Sequence, residues 1–370
     1  MSGQTYFIIA GEPSGDRLGA FITQGLVGLD HKVIGWGGSH MRSAGAQVLQ
    51  DIDELKVMGW TGVVKKLPLF GRLLKLVKQQ IVKTRPHKII LVDYGSFNLR
   101  IAIWAKKQGY EVIYYSPPKI WASRSSRLKA LSLCDQVIVL FSFEQEYYHS
   151  RGLNVHFFGH PLADDIMSYQ KDTTFVERYG IDQKVLAILP GSRSEEIRYT
   201  LPIYLESTTD LEGYQILISK TTQSDKTIDE IVAGYTGLSD ITLVSSRDYH
   251  HLLDIADLAL VTSGTASWEA AMHGTPQIVG YKTSWANYMI AKQLITVPHI
   301  SLVNLIMGEG VIPELIQHEL KPDVLRENII LLGDSATKSK INNAYNDIQS
   351  MSYNEQILNN TMVAITSKVV

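Results

Sequence analysis

The strongest strand pattern in the sequence ends at an aspartate. Residues 88–92 (KIILV) form a short, nearly continuous apolar run that is typical of a buried strand in a parallel sheet, and Asp93 follows it directly. Ligands of such sheets bind beyond the carboxyl ends of the strands, where a carboxylate can accept a proton from an attacking hydroxyl group. We therefore predict that Asp93 is a catalytic base, although an aspartate that only caps the next helix would give the same pattern.

Two turns of small residues in the second half of the chain are suited to binding phosphate. The first follows the strand pattern KVLAIL (residues 184–189), and the second follows LALVT (residues 258–262). Both lead into a predicted helix, whose amino end offers unpaired N–H groups to an anion, so together they predict a diphosphate site. The residues that we expect to bind it are Ser192, Arg193, Ser263, Gly264, Thr265 and Ala266.

Two charged residues in these segments add specific chemistry. The guanidinium group of Arg193 is always charged, and its planar fork fits phosphate oxygens. Glu269 lies one turn into the second helix, from where it could reach the hydroxyl groups of a sugar. The alternative for Glu269 is a first-turn acid that is stabilised by the helix dipole.

A third turn, GEPSGD (residues 11–16), joins the first strand pattern to the first helix. It matches neither the dinucleotide-binding GxGxxG motif nor the P-loop, and it is not the GxSxG turn of hydrolases. We predict that its N–H groups face a ligand, but an ordinary turn that is capped by Ser14 or Asp16 is an equally good interpretation.

Metal-binding patterns are weak in this sequence. There is no HExxH motif, and no carboxylate cluster accompanies the paired histidines His250 and His251. Asp51 and Asp53 resemble the DxD motif of metal-dependent sugar transferases, but no convincing strand is associated with them, and we interpret them as part of a solvated loop. We therefore predict no metal site.

The arrangement of the apolar runs predicts two parallel sheets that would carry these turns. Short apolar runs alternate with segments of helical spacing in both halves, which indicates α/β structure with helices on both faces of each sheet. We predict two Rossmann-like, doubly wound domains that face a central cleft. The first comprises residues 1–168 with a C-terminal helix near residues 345–370, the second comprises residues 169–344, and the polar stretch 165–182 is the predicted linker.

Composition excludes several classes of protein. The chain has 370 residues, a formal net charge of −2 and 45% hydrophobic residues. The apolar content predicts a large core, and the near-neutral charge gives no indication of nucleic-acid binding. Cys134 is the only cysteine and cannot form an internal disulfide. The sequence lacks both a basic leader and the ~18 consecutive apolar residues of a membrane span, which predicts a cytoplasmic protein.

Eight segments, in order along nearly the whole chain, resemble the lipid-A-disaccharide synthase family. The resemblance implies a B-type glycosyltransferase fold, an inverting mechanism, and no required metal or cofactor. The segments are AGEPSGD (residues 10–16), MGWTGVV (58–64), VDYGSFN (92–98), YYSPPKIWASRSSR (114–127), FGHPLADDI (158–166), LPGSRSEEI (189–197), TSGTASWEA (262–270) and YKTSWANYMIAKQLITVPHISLVNLIMGEGVIPELIQ (281–317).

The resemblance also implies a reaction. UDP-2,3-diacylglucosamine and 2,3-diacylglucosamine 1-phosphate (lipid X) form the lipid A disaccharide 1-phosphate and UDP, a step of lipopolysaccharide synthesis in Gram-negative bacteria. Asp93 is then the base towards the 6-hydroxyl group of the acceptor, and Arg193 stabilises the departing UDP. The implied donor-binding residues also include Glu269, Asn304, Glu314 and Gln317, and the implied acceptor-binding residues are Glu12, Ser14, Asp16 and Asn98. A homodimer is left open.

Three positions depart from the family pattern. Ser96 stands where the family usually has a second aspartate, Ser123 where it has an aromatic residue, and Val303 where it has proline. The departure at Ser96 argues against a mechanism that needs two carboxylates at this strand end. Two other functions therefore stay open: an isomerase similar to UDP-N-acetylglucosamine 2-epimerase, and a degenerate copy that binds lipid without catalysis.

A basic and apolar segment is the predicted membrane contact. Residues 55–92 contain no Asp or Glu but nine Lys or Arg residues, and acylated substrates would bring the enzyme to the inner face of the inner membrane. Each Lys or Arg near anionic lipid contributes about 1 kcal/mol to binding, so a few would suffice for reversible docking. The alternative interpretation of this segment is a packed helix with a solvated basic face. The expected contact residues are Trp60, Lys65, Lys66, Leu69, Phe70 and Arg72.

Overall fold

The computed structural model describes residues 3–52, 67–123, 127–209, 211–221, 225–235, 241–295, 297–333 and 335–367. The chain forms two compact units. Unit 1 comprises Met1–Pro161 and Asn354–Val370, and unit 2 comprises Leu162–Tyr353. The chain therefore leaves unit 1 once and returns to it at its end.

The strands of the described residues are short, and they are most buried in the middle of each sheet. Those of unit 1 are β1 (Thr5–Ala10), β2 (Lys32–Gly37), β3 (Gln47–Asp51), β4 (Lys88–Val92), β5 (Glu111–Tyr115), β6 (Gln136–Val139) and β7 (His156–Phe157). Those of unit 2 are β8 (Lys184–Leu189), β9 (Tyr214–Ser219), β10 (Ile241–Val244), β11 (Leu258–Thr262), β12 (Gln277–Tyr281) and β13 (Glu314–Ile316).

Helices connect most of these strands. The first group is α1 (Pro13–Gly28), α2 (Ser39–Ser43), α3 (Leu67–Thr84), α4 (Gly95–Lys107), α5 (Ile120–Ser123), α6 (Leu128–Leu131), α7 (Ser142–His149), α8 (Leu162–Met167) and α9 (Phe175–Arg178). The second group is α10 (Ser194–Thr208), α11 (Asp225–Val232), α12 (Tyr249–Ile255), α13 (Thr265–Met272), α14 (Trp285–Leu294), α15 (Leu302–Met307), α16 (Pro322–Leu332), α17 (Ser335–Ser352) and α18 (Ile357–Thr366).

The sheet of unit 1 is parallel, in the order β3-β2-β1-β4-β5-β6-β7. Strands β1 to β3 extend the sheet in one direction, and strands β4 to β7 extend it from β1 in the other. Doubly wound sheets bind ligands at this reversal, between β1 and β4. Ile9 of β1 pairs with Leu91 of β4, and both are fully buried because helices cover the two faces of the sheet. The turn after β1 and Asp93 after β4 consequently begin on neighbouring strands.

Unit 2 repeats this arrangement in the order β10-β9-β8-β11-β12-β13, again with parallel pairing. Here the direction reverses between β8 and β11. Leu189 at the end of β8 lies beside Val261 near the end of β11. The predicted fold class, two Rossmann-like parallel sheets, is confirmed for each unit.

The structure differs from the sequence-based elements in three places. The predicted linker contains the end of α8 and the whole of α9 and is part of unit 2, where the Tyr169 ring lies 4.7 Å from that of His251. Asp51 is the last residue of β3 and pairs with Arg42 at 2.8 Å, so the interpretation of Asp51 as loop was wrong. The C-terminal tail forms two helices, of which α17 belongs to unit 2 and α18 to unit 1.

Helix α18 is fixed to unit 1 by packing and by a buried lysine. It packs on α1, where Gly25 leaves room for Met362: a Cβ atom at Gly25 would lie 2.5 Å from the Met362 sulfur. The fully buried Lys88 donates a hydrogen bond to the carbonyl of Ser367 and pairs with Glu111. Of the helices in the described ranges, none is long and apolar enough to cross a bilayer.

Candidate active site

Asp93 lies at the carboxyl end of β4, half-buried, in a strained backbone conformation. Asp93 and Tyr94 have φ angles of +49° and +54°, a left-handed conformation that non-glycine residues rarely adopt. Each such residue costs roughly 1–3 kcal/mol and persists only where the surroundings hold it. Two of the six described non-glycine residues with positive φ are therefore consecutive at this strand end.

Two buried side chains hold this backbone. The Asn98 amide nitrogen donates to the carbonyls of Asp93 (2.9 Å) and Val92 (3.1 Å), and the Tyr114 hydroxyl donates to the Asp93 carbonyl at 2.8 Å. Asn98 has no exposed surface, so its expected contact with the acceptor does not fit the structure. It orients Asp93 instead, because its amide nitrogen donates to the main chain.

Burial raises the pKa of the Asp93 carboxyl group above its usual range. The backbone N–H of Tyr94, the Ser14 hydroxyl and the charge of Lys119 oppose this shift without cancelling it. The Ser14 hydroxyl donates to Asp93 Oδ2 at 3.2 Å. A raised pKa makes the ionised Asp93 carboxylate a stronger base than that of an ordinary aspartate.

The GEPSGD turn lies beside Asp93, and two of its polar residues face solvent. Glu12 and Ser14 are exposed, as expected of acceptor-binding residues. Gly11 is required here because a Cβ atom would lie 2.3 Å from the Tyr94 ring. Asp16 is different: it is 2% exposed, so direct contact with an acceptor does not fit.

The Asp16 carboxylate binds the main chain of the next turn. It accepts hydrogen bonds from the N–H groups of Gly38 (2.6 Å), His40 (3.0 Å) and Met41 (3.1 Å). These groups surround the start of α2, where unpaired N–H donors need an acceptor. Asp16 therefore fixes the β2–α2 turn next to the turn that carries Ser14.

Two cations near Asp93 were not predicted from the sequence. Lys119 is exposed and close enough to lower the Asp93 pKa, and the Arg127 guanidinium donates to the Ser96 hydroxyl at 3.1 Å. Ser96 is the position where the family usually has aspartate. Both cations follow β5, the next strand in the sequence, so no local sequence pattern associates them with Asp93.

In unit 2 the two small-residue turns begin side by side. Gly191 and Gly264 have φ angles of +91° and +145°, which favour glycine, and a Cβ atom at Gly191 would lie 3.6 Å from Thr262 at the end of β11. Arg193 immediately precedes α10 with its side chain 78% exposed, and pairs with Glu196 at 2.8 Å. Ser192 and Thr265 are exposed, and Gly264 and Ala266 are half-buried.

Glu269 lies in α13 and is held by a residue that the sequence did not suggest. The Tyr249 hydroxyl donates to Glu269 Oε2 at 3.0 Å. Tyr249 begins α12, which precedes β11 in the sequence, whereas Glu269 lies in the helix after β11. A half-buried carboxylate oriented in this way fits the expected contact with sugar hydroxyls.

Glu314 and Asn304 form a hydrogen-bonded network that supports the second turn. The Glu314 carboxylate accepts from the N–H groups of Ile300 and Ser301 (both 3.0 Å), the Ser301 hydroxyl (2.7 Å) and the Asn304 amide (2.9 Å). The Ile300 carbonyl in turn accepts from the Ser263 hydroxyl at 2.9 Å. Glu314 therefore supports the Ser263 turn indirectly, by holding the main chain of Ile300.

The expected ligand contacts at Asn304 and Gln317 do not fit the structure. Asn304 is 1% exposed, and its Oδ1 accepts from the N–H groups of Val311 and Ile312. Gln317 is 9% exposed, and its amide exchanges two hydrogen bonds with the Thr283 main chain. Both side chains shape loops at this edge of the sheet.

The network predicts a large effect of Glu314→Gln. The substitution replaces one acceptor oxygen by an NH₂ group that faces N–H and O–H donors, which we expect to cost about 2–4 kcal/mol of unfolding free energy. It should also weaken UDP binding at least tenfold, because the Ser263 turn loses its support. Thermal unfolding and calorimetry with UDP measure the two effects, with Glu309→Gln, an exposed neighbour, as the matched control.

Among the described residues, no group of three or more His, Cys, Asp or Glu side chains could hold a metal ion. Two histidines, the buried His160 and the half-buried His273, are uncharged at neutral pH. Burial and the nearby Arg17 lower the pKa of His160 to about 3, and burial together with His250 lowers that of His273 to about 4.

Two solved structures share the fold over the whole chain. A UDP-GlcNAc 2-epimerase from Neisseria meningitidis, bound to UDP-GlcNAc, aligns with a TM-score of 0.67 at 14% identity, covering 98% of this chain and 100% of that one. A glycosyltransferase from Rickettsia africae aligns with a TM-score of 0.62 at 11% identity, covering 100% and 99%. The fold of this chain is therefore the one shared by B-type glycosyltransferases and by epimerases of the same architecture.

Sequence comparison places the chain within that class. The family model of lipid-A-disaccharide synthetase matches residues 6–367. The lipid-A-disaccharide synthase of Geobacter sulfurreducens is 36% identical over 332 residues, which cover 87% of this chain and 86% of that protein. The chain belongs to the lipid-A-disaccharide synthetase family and is a glycosyltransferase of lipid A synthesis.

Proposed function

We propose that the chain transfers 2,3-diacylglucosamine from UDP-2,3-diacylglucosamine to the 6-hydroxyl group of lipid X. The C–O bond to the UDP phosphate breaks as the acceptor oxygen bonds to the anomeric carbon. The hydroxyl proton passes to the Asp93 carboxylate and then to solvent. UDP leaves with the bonding electron pair, so negative charge develops on its phosphates.

The observation that carries this proposal is the environment of Asp93. Its carboxylate stands at a strand end, with a pKa that burial raises and a backbone that Asn98 and Tyr114 hold. Such a group combines a defined orientation with enhanced basicity, and both are needed to deprotonate an alcohol during attack.

The charge on the departing UDP needs donors that are already in place. We assign this role to Arg193 and to the N–H groups at the start of α13, with Glu269 binding ribose hydroxyls. Preorganised donors of this kind stabilise charge that develops in the transition state. On the acceptor side, Lys119 and Arg127 are suited to the 1-phosphate of lipid X, next to Glu12 and Ser14.

The product identifies the reaction directly. Purified enzyme with both acylated substrates should form a tetraacyl disaccharide 1-phosphate and an equal amount of UDP, measured by mass spectrometry and nucleotide chromatography. UDP-N-acetylglucosamine alone should give no manno epimer by NMR, whereas an epimerase would produce it. Absence of UDP release from both acylated substrates would support a non-catalytic copy.

We also propose that α3 contacts the membrane surface with its cationic face. Arg72, Lys75 and Lys83 are exposed, while Leu69 and Phe70 are half-buried and pack on the core of unit 1. The Phe70 ring lies 5.5 Å from that of Phe97. Within α3, the contact is therefore electrostatic, and the other expected contacts, Trp60, Lys65 and Lys66, lie outside the described residues.

Charge reversal tests this contact. The double variant Arg72→Glu/Lys75→Glu should lower sedimentation with anionic vesicles at least tenfold, since each cation contributes about 1 kcal/mol near anionic lipid. Lys226→Glu/Lys340→Glu makes the same change of net charge at exposed sites in unit 2 and is the control. Equal losses in both double variants would show that only net charge matters and would contradict a role for α3.

A further inference from the structure

Unit 2 exposes a tryptophan directly after β12. Trp285 is the first residue of α14, and 75% of its surface is accessible. Every other tryptophan in the described ranges is buried or half-buried. An indole ring has a large apolar surface and usually lies against a partner.

Trp285 belongs to a continuous strip along one side of α14. Met289 follows one turn later and is 36% exposed, Lys292 is exposed, and Ile295 just beyond the helix is 40% exposed. Their spacing of four, three and three residues places these side chains on one face of the helix. We call these four residues the α14 strip.

The α14 strip begins at the ligand-binding edge of the sheet. Strand β12 pairs with β11, which ends at the Ser263 turn. The Asn287 amide donates to Glu195 at 3.2 Å, which ties the first turn of α14 to the first turn of α10. Tyr281, the last residue of β12, is close enough to Arg193 and Glu196 for their charges to act on its pKa. The strip therefore starts beside the two phosphate turns.

The charge of this segment suits an anionic, acylated ligand. Residues 270–308 contain no Asp or Glu, and they include Lys282 and Lys292 on either side of Trp285 and Met289. The described acids that contact this segment include Glu195, which accepts from Asn287, and Glu314, which accepts from Ile300 and Ser301 beyond the α14 strip. An apolar surface with flanking cations favours a molecule that carries both phosphate and a hydrocarbon chain.

We propose that the α14 strip binds an acyl chain of the UDP-sugar donor and so determines specificity for acylated over soluble donors. This inference rests on the proposed function, because the UDP phosphates at the two turns bring the acyl chain to Trp285. The indole face packs against methylene groups, and the flexible Met289 side chain adapts to the chain. Phosphate recognition and acyl recognition are then separate parts of one donor site.

The separation predicts a specific kinetic change. Trp285→Ala/Met289→Ala should raise KM for UDP-2,3-diacylglucosamine at least tenfold, with kcat within twofold and the Kd of UDP unchanged by calorimetry. The control is Ile330→Ala, which removes a 66% exposed apolar side chain from the same unit. Ile330 lies near the end of α16, outside the α14 strip.

Tryptophan emission gives a readout that does not depend on turnover. The difference between the wild-type and Trp285→Phe spectra should shift to shorter wavelength with the acylated donor, and not with UDP alone. An unchanged KM in the double variant, or the same shift with phospholipid vesicles that contain no donor, would overturn the assignment to the donor chain. Failure of the wild-type enzyme to bind UDP would instead contradict the proposed function.

Discussion

Asp93→Asn is expected to lower kcat by about 10²-fold or more and to leave folding and UDP binding intact. Asparagine has the same shape and can still accept the Ser14 hydrogen bond, but it cannot take the proton of the acceptor hydroxyl. The measurement is initial rate with saturating substrates, together with the Kd of UDP and the midpoint of thermal unfolding.

The pH profile gives an independent test of the same residue. Asp93 must be ionised to act as a base, so kcat/KM should fall as the pH drops through its pKa. Burial raises this pKa above the ordinary value of 3.8, and the acid limb should therefore lie at higher pH than for an ordinary aspartate. The limb should be absent from the residual activity of Asp93→Asn.

Asp51→Asn is the matched control, since Asp51 also ends a strand of the same sheet and pairs with Arg42 away from the proposed base. It should retain wild-type activity. If Asp93→Asn turns over at a near-normal rate, another group is the base. A large gain in Ser96→Asp would show that the family's second carboxylate contributes to rate, which the present assignment does not expect.

Arg193→Ala should lower kcat/KM by about 10²–10³-fold, because preorganised charge at the leaving group is among the largest contributions to catalysis. The effect should appear mainly in kcat, since charge on the UDP phosphates increases as the bond breaks. Arg193→Lys should recover part of the rate, because it keeps the charge and loses the planar fork.

Arg198→Ala provides the control for Arg193. Arg198 lies in α10, which Arg193 immediately precedes; its side chain is 57% exposed and pairs with Glu230, so its loss changes net charge equally without touching the phosphate turn. Wild-type kinetics are expected. Similar losses in both alanine variants would point to a general electrostatic effect and remove the assignment of Arg193 to the leaving group.

The sequence predicted the central strands because burial on both faces leaves a simple pattern. β4, β8, β11 and β12 match the apolar runs at both ends. The edge strands were different: β3 has the sequence QVLQD, and β13 has only three residues. An edge strand needs no continuous apolar run, since part of it faces solvent.

The candidate site residues were easiest to select where they stand at strand ends. Asp93 and Arg193 each follow a buried strand, and within each sheet the parallel strands bring such residues to one edge. The pattern could not distinguish a side chain that faces a ligand from one that binds its own main chain. Asp16, Asn98 and Asn304 are of the second kind, because tertiary contacts of loops far apart in sequence decide where their polar groups point.

The return of α18 to unit 1 has a consequence for folding during synthesis. Residues that complete the surface of α1, including Met362, and the carbonyl that pairs with the buried Lys88 leave the ribosome only after the whole of Leu162–Tyr353. At ~5–20 residues per second, unit 1 waits on the order of ten seconds or longer with an apolar face of α1 uncovered and with Lys88 paired to Glu111 but lacking the Ser367 carbonyl. Unit 1 is thus the first to be made and the last to be finished, and that interval is when the nascent chain most needs protection from aggregation.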